Sequence, residues 1–370
     1  MRVAVLASTY PCEPGDAVAP WAADFTEALA EAGAEVVVLT GATERPHRSS
    51  SRVDVRAFPW RGVHGRVVSL LEPSPANALR IASYFRQGRR ALSELCEEWQ
   101  PDVLFALWAI PMGLLARSAS RRLGVPYAVW ALGADVYRAG RNPLLRPFVR
   151  ASLRDASLRF ADGYELLREV EELSGRACSF LPTGRRLPPA EPYVGERPVV
   201  LFVGRFEPVK APEILLEAAE RLAAQGVEFE LHLAGSGSLE GQLRGRAKTV
   251  PAPVHFHIDA RDEEIASLMR GAACVAIPSR AESIPVVFGE ALQARAPLVV
   301  SDVGDMGELG RSGVALVVPQ DHPEALAGAI AYILEGLWRP DAGRREELVH
   351  SLDPATAAST VLASFDFKCC

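Results

Sequence analysis

The chain has 370 residues, 49% of them hydrophobic and 23% charged, with a formal net charge of −6. That length suits two domains with a core each, and that balance excludes a disordered or fibrous polymer. There is no apolar run of about 18 residues, which excludes a spanning helix, and no clustered basic and aromatic patch of the kind nucleic acid demands.

The first element is a short apolar run, Val3–Ala7, which reads as a buried strand and lacks a signal-peptide cleavage pattern. A Pro- and Gly-rich loop reaches Pro20. A helix over Trp21–Ala32 follows, with Phe25, Leu29 and Ala32 on one face and Gly33 as its cap. Glu35–Thr40 is the next strand. Continuous apolar strands of this kind belong to a parallel sheet covered on both faces. Further strands are predicted at Val53–Phe58, Val103–Ala106 and Tyr127–Ala131, with Met112–Leu123 the clearest helix. The Arg61–Arg90 stretch, with Leu70, Leu71, Tyr84 and Phe85 interspersed, reads as a solvated loop and helix or as a surface for an anionic membrane or acceptor.

Pro182–Pro198 holds five prolines and few large apolar residues, the composition of an interdomain linker. A second α/β pattern then restarts. Strands are predicted at Val199–Val203, Glu228–Ala234, Val254–His257, Cys274–Ile277, Leu298–Ser301 and Ala315–Val318. Helices are predicted at Ala211–Gln225, Glu263–Arg270, Val286–Ala294 and Pro323–Leu337. The halves differ in charge: residues 1–190 carry 24 arginines against 20 acidic residues, and residues 191–370 carry 16 basic against 26 acidic. Such asymmetry suggests different partners for the two halves. The six cysteines show no metal or redox spacing and read as reduced thiols, consistent with a cytosolic protein.

The chemistry gathers in three places. Gly204-Arg205, five residues before Lys210, closes a strand with a tight turn and two cations. Pro278–Glu290 closes another strand with a loop bearing Glu282 and then a helix that starts near Pro285 or Val286 and carries Glu290. Ser301–Glu308 is a loop after a third strand. Free amides at Val286 and Val287 point at an anion, and Arg205 and Lys210 add full charges. Together they suit a diphosphate leaving group without a metal, and no D-x-D pair offers a metal alternative. Glu282 and Glu290 are acceptors for sugar and ribose hydroxyls.

These motifs resemble the retaining glycosyltransferases of family 4, over roughly residues 3–40 and 100–340. The G-R-x-x-x-x-K turn and the E-x7-E element carry the resemblance. It implies a GT-B fold: two doubly wound Rossmann-like domains facing a central cleft. It implies residues 1–185 as the acceptor-side domain, 186–197 as linker, 198–351 as the donor-nucleotide domain, and 352–370 as a segment packing back on the first. By that resemblance Gly204, Arg205 and Lys210 meet the donor diphosphate, and Glu282, Ser283, Ile284 and Pro285 flank the donor sugar. Val286 and Val287 touch the donor through their amides, Glu290 holds the ribose, and Gly235 and Gly237 lie near the base. Glu308 reads as a donor contact, an N-cap or a surface charge. Gly15, Asp16 and Asp135 fall on the acceptor side, Asp135 also fitting plain turn chemistry.

The expected activity is metal-independent transfer of a hexose-like sugar from a UDP- or GDP-sugar to a hydroxyl of a small molecule, glycan or lipid-linked acceptor, with no cofactor and no nucleic acid. A peripheral contact with the inner face of the membrane is compatible with it. The family's histidine before Gly133 is Leu132 here, and Ser283-Ile284-Pro285 stand where Gly-Phe-Gly is usual. Those departures keep two alternatives open: a non-catalytic sugar-nucleotide binder and a sugar-nucleotide epimerase. The Gly235–Gly241 segment imitates a dinucleotide fingerprint with its third glycine displaced, so a nicotinamide role is rejected. His255 and His257 share a strand face, but the sequence offers them no third ligand.

Overall fold

The computed structural model describes residues 1–11, 19–41, 52–60 and 75–366. The chain divides into two units, Met1–Gly184 with Pro354–Cys370, and Arg185–Asp353.

The first unit is built on seven strands: β1 (Arg2–Ala7), β2 (Glu35–Gly41), β3 (Val53–Phe58), β4 (Val103–Leu107), β5 (Tyr127–Ala131), β6 (Leu158–Ala161) and β7 (Ser179–Phe180). They form one parallel sheet in the order β3-β2-β1-β4-β5-β6-β7. Every residue of β4 and β5 is buried, as both faces of a parallel sheet require when helices cover them. The helices are α1 (Pro20–Glu31), α2 (Pro75–Trp99), α3 (Met112–Leu123), α4 (Ala134–Tyr137), α5 (Arg146–Asp155) and α6 (Tyr164–Ser174). Leu104, Leu115, Val129 and Leu153 fill one layer, and Val5, Phe25, Phe105 and Trp130 the other.

The second unit repeats the plan with β8 (Val199–Val203), β9 (Glu230–Ala234), β10 (Val254–His257), β11 (Ala272–Ile277), β12 (Leu298–Ser301) and β13 (Leu316–Val318), ordered β10-β9-β8-β11-β12-β13. Its helices are α7 (Pro212–Ala224), α8 (Glu240–Ala247), α9 (Asp262–Gly271), α10 (Val286–Ala294), α11 (Gly304–Leu309), α12 (Pro323–Leu334) and α13 (Ala342–Ser351). A final helix, α14 (Pro354–Asp366), returns to the first unit and packs on α1. Both sheets are doubly wound. Strand order reverses between β1 and β4 in one and between β8 and β11 in the other, and at such a reversal the loops leaving the carboxyl ends diverge and open a crevice.

The predicted strands at Val53–Phe58, Tyr127–Ala131, Val199–Val203, Val254–His257 and Leu298–Ser301 match the observed ones, as do the helices Met112–Leu123 and Val286–Ala294. Helix α12 stops at Leu334 rather than Leu337, because Gly336 turns into the left-handed region at φ 73°.

Candidate functional site

The loops after β8, β9, β11 and β12 all leave the carboxyl edge of the second sheet, and every residue expected on the donor side, from Gly204 to Glu308, lies on them or on the helices they enter. The first two loops are laced together. Gly204 N–H donates to Ala234 O at 2.9 Å, Phe206 N–H to Ser236 O at 2.8 Å, and Leu239 N–H to Phe206 O at 2.9 Å. That approach is why glycine stands at 235: a Cβ there would overlap the Gly204 carbonyl oxygen, and φ is 142°. Ser238 adds its amide (3.1 Å) and hydroxyl (2.7 Å) to the Glu207 carboxylate, which those bonds hold below its ordinary pKa.

Lys210 ends a single 3₁₀ turn, Pro208–Lys210, and its ammonium is ion-paired with Glu282 in the loop after β11. The two side chains are 21% and 11% exposed, so the pair is sheltered while still reachable. Arg280 staples the two loops. Its backbone N–H donates to Val209 O at 2.8 Å, and its guanidinium bonds Pro208 O, Glu213 of α7 and Asp321, the last two at 2.7 Å. Three residues beyond Glu282, Pro285 stands at the N-cap of α10 in an extended conformation with no side-chain cap. Ile284 and Pro285 are buried, Val286 and Val287 half-buried, and Arg205 is exposed. The α10 amino terminus therefore keeps the orphan amides and positive dipole end that suit an anion.

Glu290, in the second turn of α10, is buried and meets Arg185, whose guanidinium lies 3.3 Å from its Oε1 and also pairs with Asp262. Gln293 holds the same segment at both ends, donating to Arg185 O at 2.7 Å and accepting from Leu187 N–H at 3.0 Å. On the other side, Ser283 donates its hydroxyl to Asp305 of α11 at 3.2 Å, and its carbonyl accepts from Met306 N–H at 2.9 Å. Asp305 is buried, whereas Glu308 is exposed on the same helix, so the carboxylate that α11 brings to the Ser283 loop is Asp305. Arg185, Arg280, Asp305 and Gln293 escape the sequence reading because their partners lie 22 to 108 residues away along the chain.

In the first unit, Gly15 and Asp16 lie outside the described residues. Asp135 is buried on α4 and accepts backbone N–H bonds from Ala109 (2.6 Å) and Leu132 (3.1 Å). Burial raises its carboxyl pKa to about 6 against the lowering pull of those bonds. It borders a cavity of about 680 Å³ at the carboxyl ends of β1, β4 and β5, with Tyr84, Trp108 and Phe148 among its apolar walls and Arg89, Arg117 and Arg121 among its charges. Leu132 packs against the apolar layer of this unit.

The strand pair β9–β10 brings residues to His255 and His257 that the sequence did not reveal. The parallel register sets His255 opposite His232, with Glu230 on the same face of β9. Burial, followed by His255 and His257, pushes His232 down to about 4, so its ring is neutral.

The family model described as Glycosyl transferases group 1 matches residues 197–336, and that of the Glycosyl transferase 4-like domain matches residues 17–184. Among curated proteins, TuaC of Bacillus subtilis, named for glycosyl transfer in teichuronic acid biosynthesis, is 28% identical over 257 residues, 65% of this chain and 64% of that protein. D-inositol 3-phosphate glycosyltransferase of Rhodococcus erythropolis is 34% identical over 142 residues, 36% of this chain and 32% of that enzyme. The matched segments thus span less than two thirds of these relatives' lengths. Among solved structures, sucrose-phosphate synthase of Thermosynechococcus elongatus superposes with a TM-score of 0.75 at 18% identity, covering 99% of this chain and 98% of that one. HepE of Anabaena in complex with UDP-glucose gives 0.72 at 17% identity, covering 99% of each chain. At such identities the structures speak for the fold alone. No helix among the described residues is long and apolar enough to cross a membrane. With a family model on each half, and with two Rossmann-like units matching GT-B structures, the chain belongs to the family 4 (group 1) glycosyltransferases of GT-B fold.

Proposed function

We propose that this protein is a retaining glycosyltransferase that moves a sugar from a UDP- or GDP-sugar to a hydroxyl acceptor, holding the donor diphosphate without a metal. The observation that carries this reading is the sheltered Lys210–Glu282 pair beside the uncapped start of α10, at the strand reversal of the second sheet. In the free protein each group satisfies the other. A donor diphosphate takes Lys210, joined by Arg205 and the amides of Val286 and Val287, and releases Glu282 to accept from sugar hydroxyls. Glu290, oriented by Arg185, accepts from the ribose. Donor charge then develops on oxygens that already face fixed positive groups, which is how a diphosphate is made a good leaving group. Retention follows if the leaving phosphate takes the acceptor proton on the face it departs from. HepE was solved with UDP-glucose, and the curated relatives are named as glycosyltransferases, which supports a nucleotide-sugar donor.

The acceptor hydroxyl is assigned to the cavity beside Asp135, whose apolar walls and arginines fit an amphipathic, anionic acceptor. Such an acceptor agrees with work at the cytoplasmic face of a membrane. Leu132 favours a second reading, because a half-buried aliphatic side chain packed against the core offers no hydrogen bond to a sugar. That reading is a donor binder without transfer.

The test is thermal unfolding with UDP- and GDP-sugars, with and without EDTA, followed by an acceptor screen with the donor that binds. At a hundred times its dissociation constant the right donor adds about 2.7 kcal/mol, and this increment is the same with EDTA. Lys210→Ala should lower kcat/KM at least ~10²-fold. Undiminished turnover in that variant sinks the assignment, and binding without transfer to any acceptor selects the second reading. A new sugar isomer formed with no acceptor present would instead mark an epimerase.

A further inference from the structure

We propose that the outer edge of the second sheet carries a binding site for a divalent transition-metal ion of the Zn²⁺ class, with Glu230, His232 and His255 as ligands. Glu230 and His232 point to the same face of β9 because strand side chains alternate, and the intervening Leu231 and Leu233 go to the core on the other face. His255 is the register partner of His232 on β10. The ligand atoms of the three all lie within 4.8 Å of one another. His232 Nε2 is 3.6 Å from Glu230 Oε1, and His255 Nε2 is 3.9 Å from Glu230 Oε2. A tetrahedral ion with bonds of about 2.0–2.1 Å places its ligand atoms roughly 3.4 Å apart, so a small inward movement completes the site. His255, whose side chain is 47% exposed, is the ligand free to make it.

The hydrogen-bond chain behind His232 defines what the site lacks. Glu264 of α9 lies 2.8 Å from His257 Nδ1, and His257 Nε2 lies 3.0 Å from His232 Nδ1. A carboxylate only accepts, so His257 Nδ1 carries a proton, and in the neutral ring its Nε2 accepts. His232 then donates from Nδ1 and leaves a bare lone pair on Nε2. That atom faces the Glu230 carboxylate, a second acceptor. His232 is 1% exposed and Glu230 5%, and neither His232 Nε2 nor Glu230 Oε1 has a hydrogen-bond partner among the described residues. Two buried acceptors this close need a cation or a shared proton between them. The carboxylate–histidine–histidine chain is also the outer arrangement that fixes a metal-binding imidazole by its far nitrogen. Two imidazoles and one carboxylate select a borderline ion such as Zn²⁺ over Ca²⁺ or Mg²⁺, which take oxygen ligands.

The site is separate from the donor loops. Glu230 opens β9 and the Gly235 turn follows its last residue, so about 13 Å of strand lies between them. Over the site runs the segment from Tyr193 to Gly195. The Tyr193 ring stands edge-on to His232 with centroids 5.1 Å apart, and a Cβ on Gly195 would collide with Glu230 Oε1. The ion's role is therefore structural, fastening this segment and the β9–β10 edge.

The experiment uses the full chain, stripped of metal and titrated with Zn²⁺ by calorimetry and with Co²⁺ by visible absorption. One ion per chain, sub-micromolar Zn²⁺ affinity and a tetrahedral Co²⁺ spectrum are expected, with a rise in the unfolding midpoint. His255→Ala, at a half-exposed position, should abolish the spectrum without loss of fold. His257→Ala should weaken affinity by about 10–100-fold. Glu230→Gln is the decisive variant, since its amide can donate to His232 Nε2 and satisfy the pair without any ion. Loss of metal binding in a folded Glu230→Gln protein supports the site. No binding by the wild type, or binding unchanged in His255→Ala, overturns it in favour of a shared proton. The donor-induced stability increment belongs to the other site and stays the same in every case.

Discussion

A carboxylate with almost no access to water must be held by charge, and at Glu290 the holder is Arg185. Their side chains are 6% and 13% exposed. Breaking such a pair from one side leaves a buried charge short of a partner, which costs about 3 kcal/mol, whereas neutralising both sides is nearly free of penalty. Arg185→Ala should therefore lower stability by that amount in denaturant unfolding, and adding Glu290→Gln should return most of it. An additive double variant would mean that Arg185 acts through Asp262 instead. Asp135 has the opposite problem, because its burial outweighs its backbone bonds and lifts its carboxyl pKa from 3.8 to about 6. A raised acid pKa means that the folded state binds the proton more tightly. Its stability contribution is thus present below the unfolded value and lost as pH climbs from about 4 to about 6. Between pH 4 and pH 7 the wild type should lose about 2 kcal/mol relative to Asp135→Asn. An unchanged difference between the two proteins across that range would show that Asp135 titrates at its ordinary value.

At the scale of elements, glycines separate what the site needs from what the chain tolerates. Gly235 sits where a Cβ meets the Gly204 carbonyl, so Gly235→Ala must push the loops after β8 and β9 apart. It should both destabilise the second unit and weaken donor binding. Gly241 and Gly245 on α8 have nothing within 4 Å of an added Cβ, and each replaced by alanine should gain about 0.5–1 kcal/mol with donor binding intact. Equal losses at Gly235 and Gly241, read by calorimetric unfolding, would refute this distinction. The strands, and the Lys210 and Glu282 loops that the structure brings together, were legible because their signals are local: an apolar run ended by glycine, two cations five residues apart, two glutamates across a helix start. Strand β6 was not, since it has only four residues and one is Arg159. Helix α2 was blurred with the loop before it, because its 25 residues mix arginine with apolar residues and have no clear start signal. The Arg280 staple, the Arg185 clamp and the Glu230–His232–His255 group depend on contacts between distant segments. The last needs the β9–β10 register itself, which no single strand encodes.

At the scale of the molecule, the first unit is discontinuous: α14 follows the whole second unit in sequence, yet its buried face belongs to the first. Ala357, Ala358, Val361 and Phe365 enter the layer formed by Ala22, Phe25 and Leu29 of α1 and the outer face of the sheet. Burying a valine and a phenylalanine contributes about 1.5–3 kcal/mol each, so the helix supplies a large part of the stability that one domain of this size commands. Ending the chain at Asp353 should therefore unfold the first unit or lower its midpoint sharply, while a donor nucleotide still stabilises the second. Because a truncated chain that aggregates would say little, Val361→Ala is the graded version, with an expected cost of about 2 kcal/mol. Calorimetry with and without donor separates the cases. A lower transition that shifts with Val361→Ala but not with donor, beside one that does the reverse, assigns α14 to the first unit's stability alone. One transition that moves with both would mean that the two units unfold together and that this last helix couples the second unit to the first.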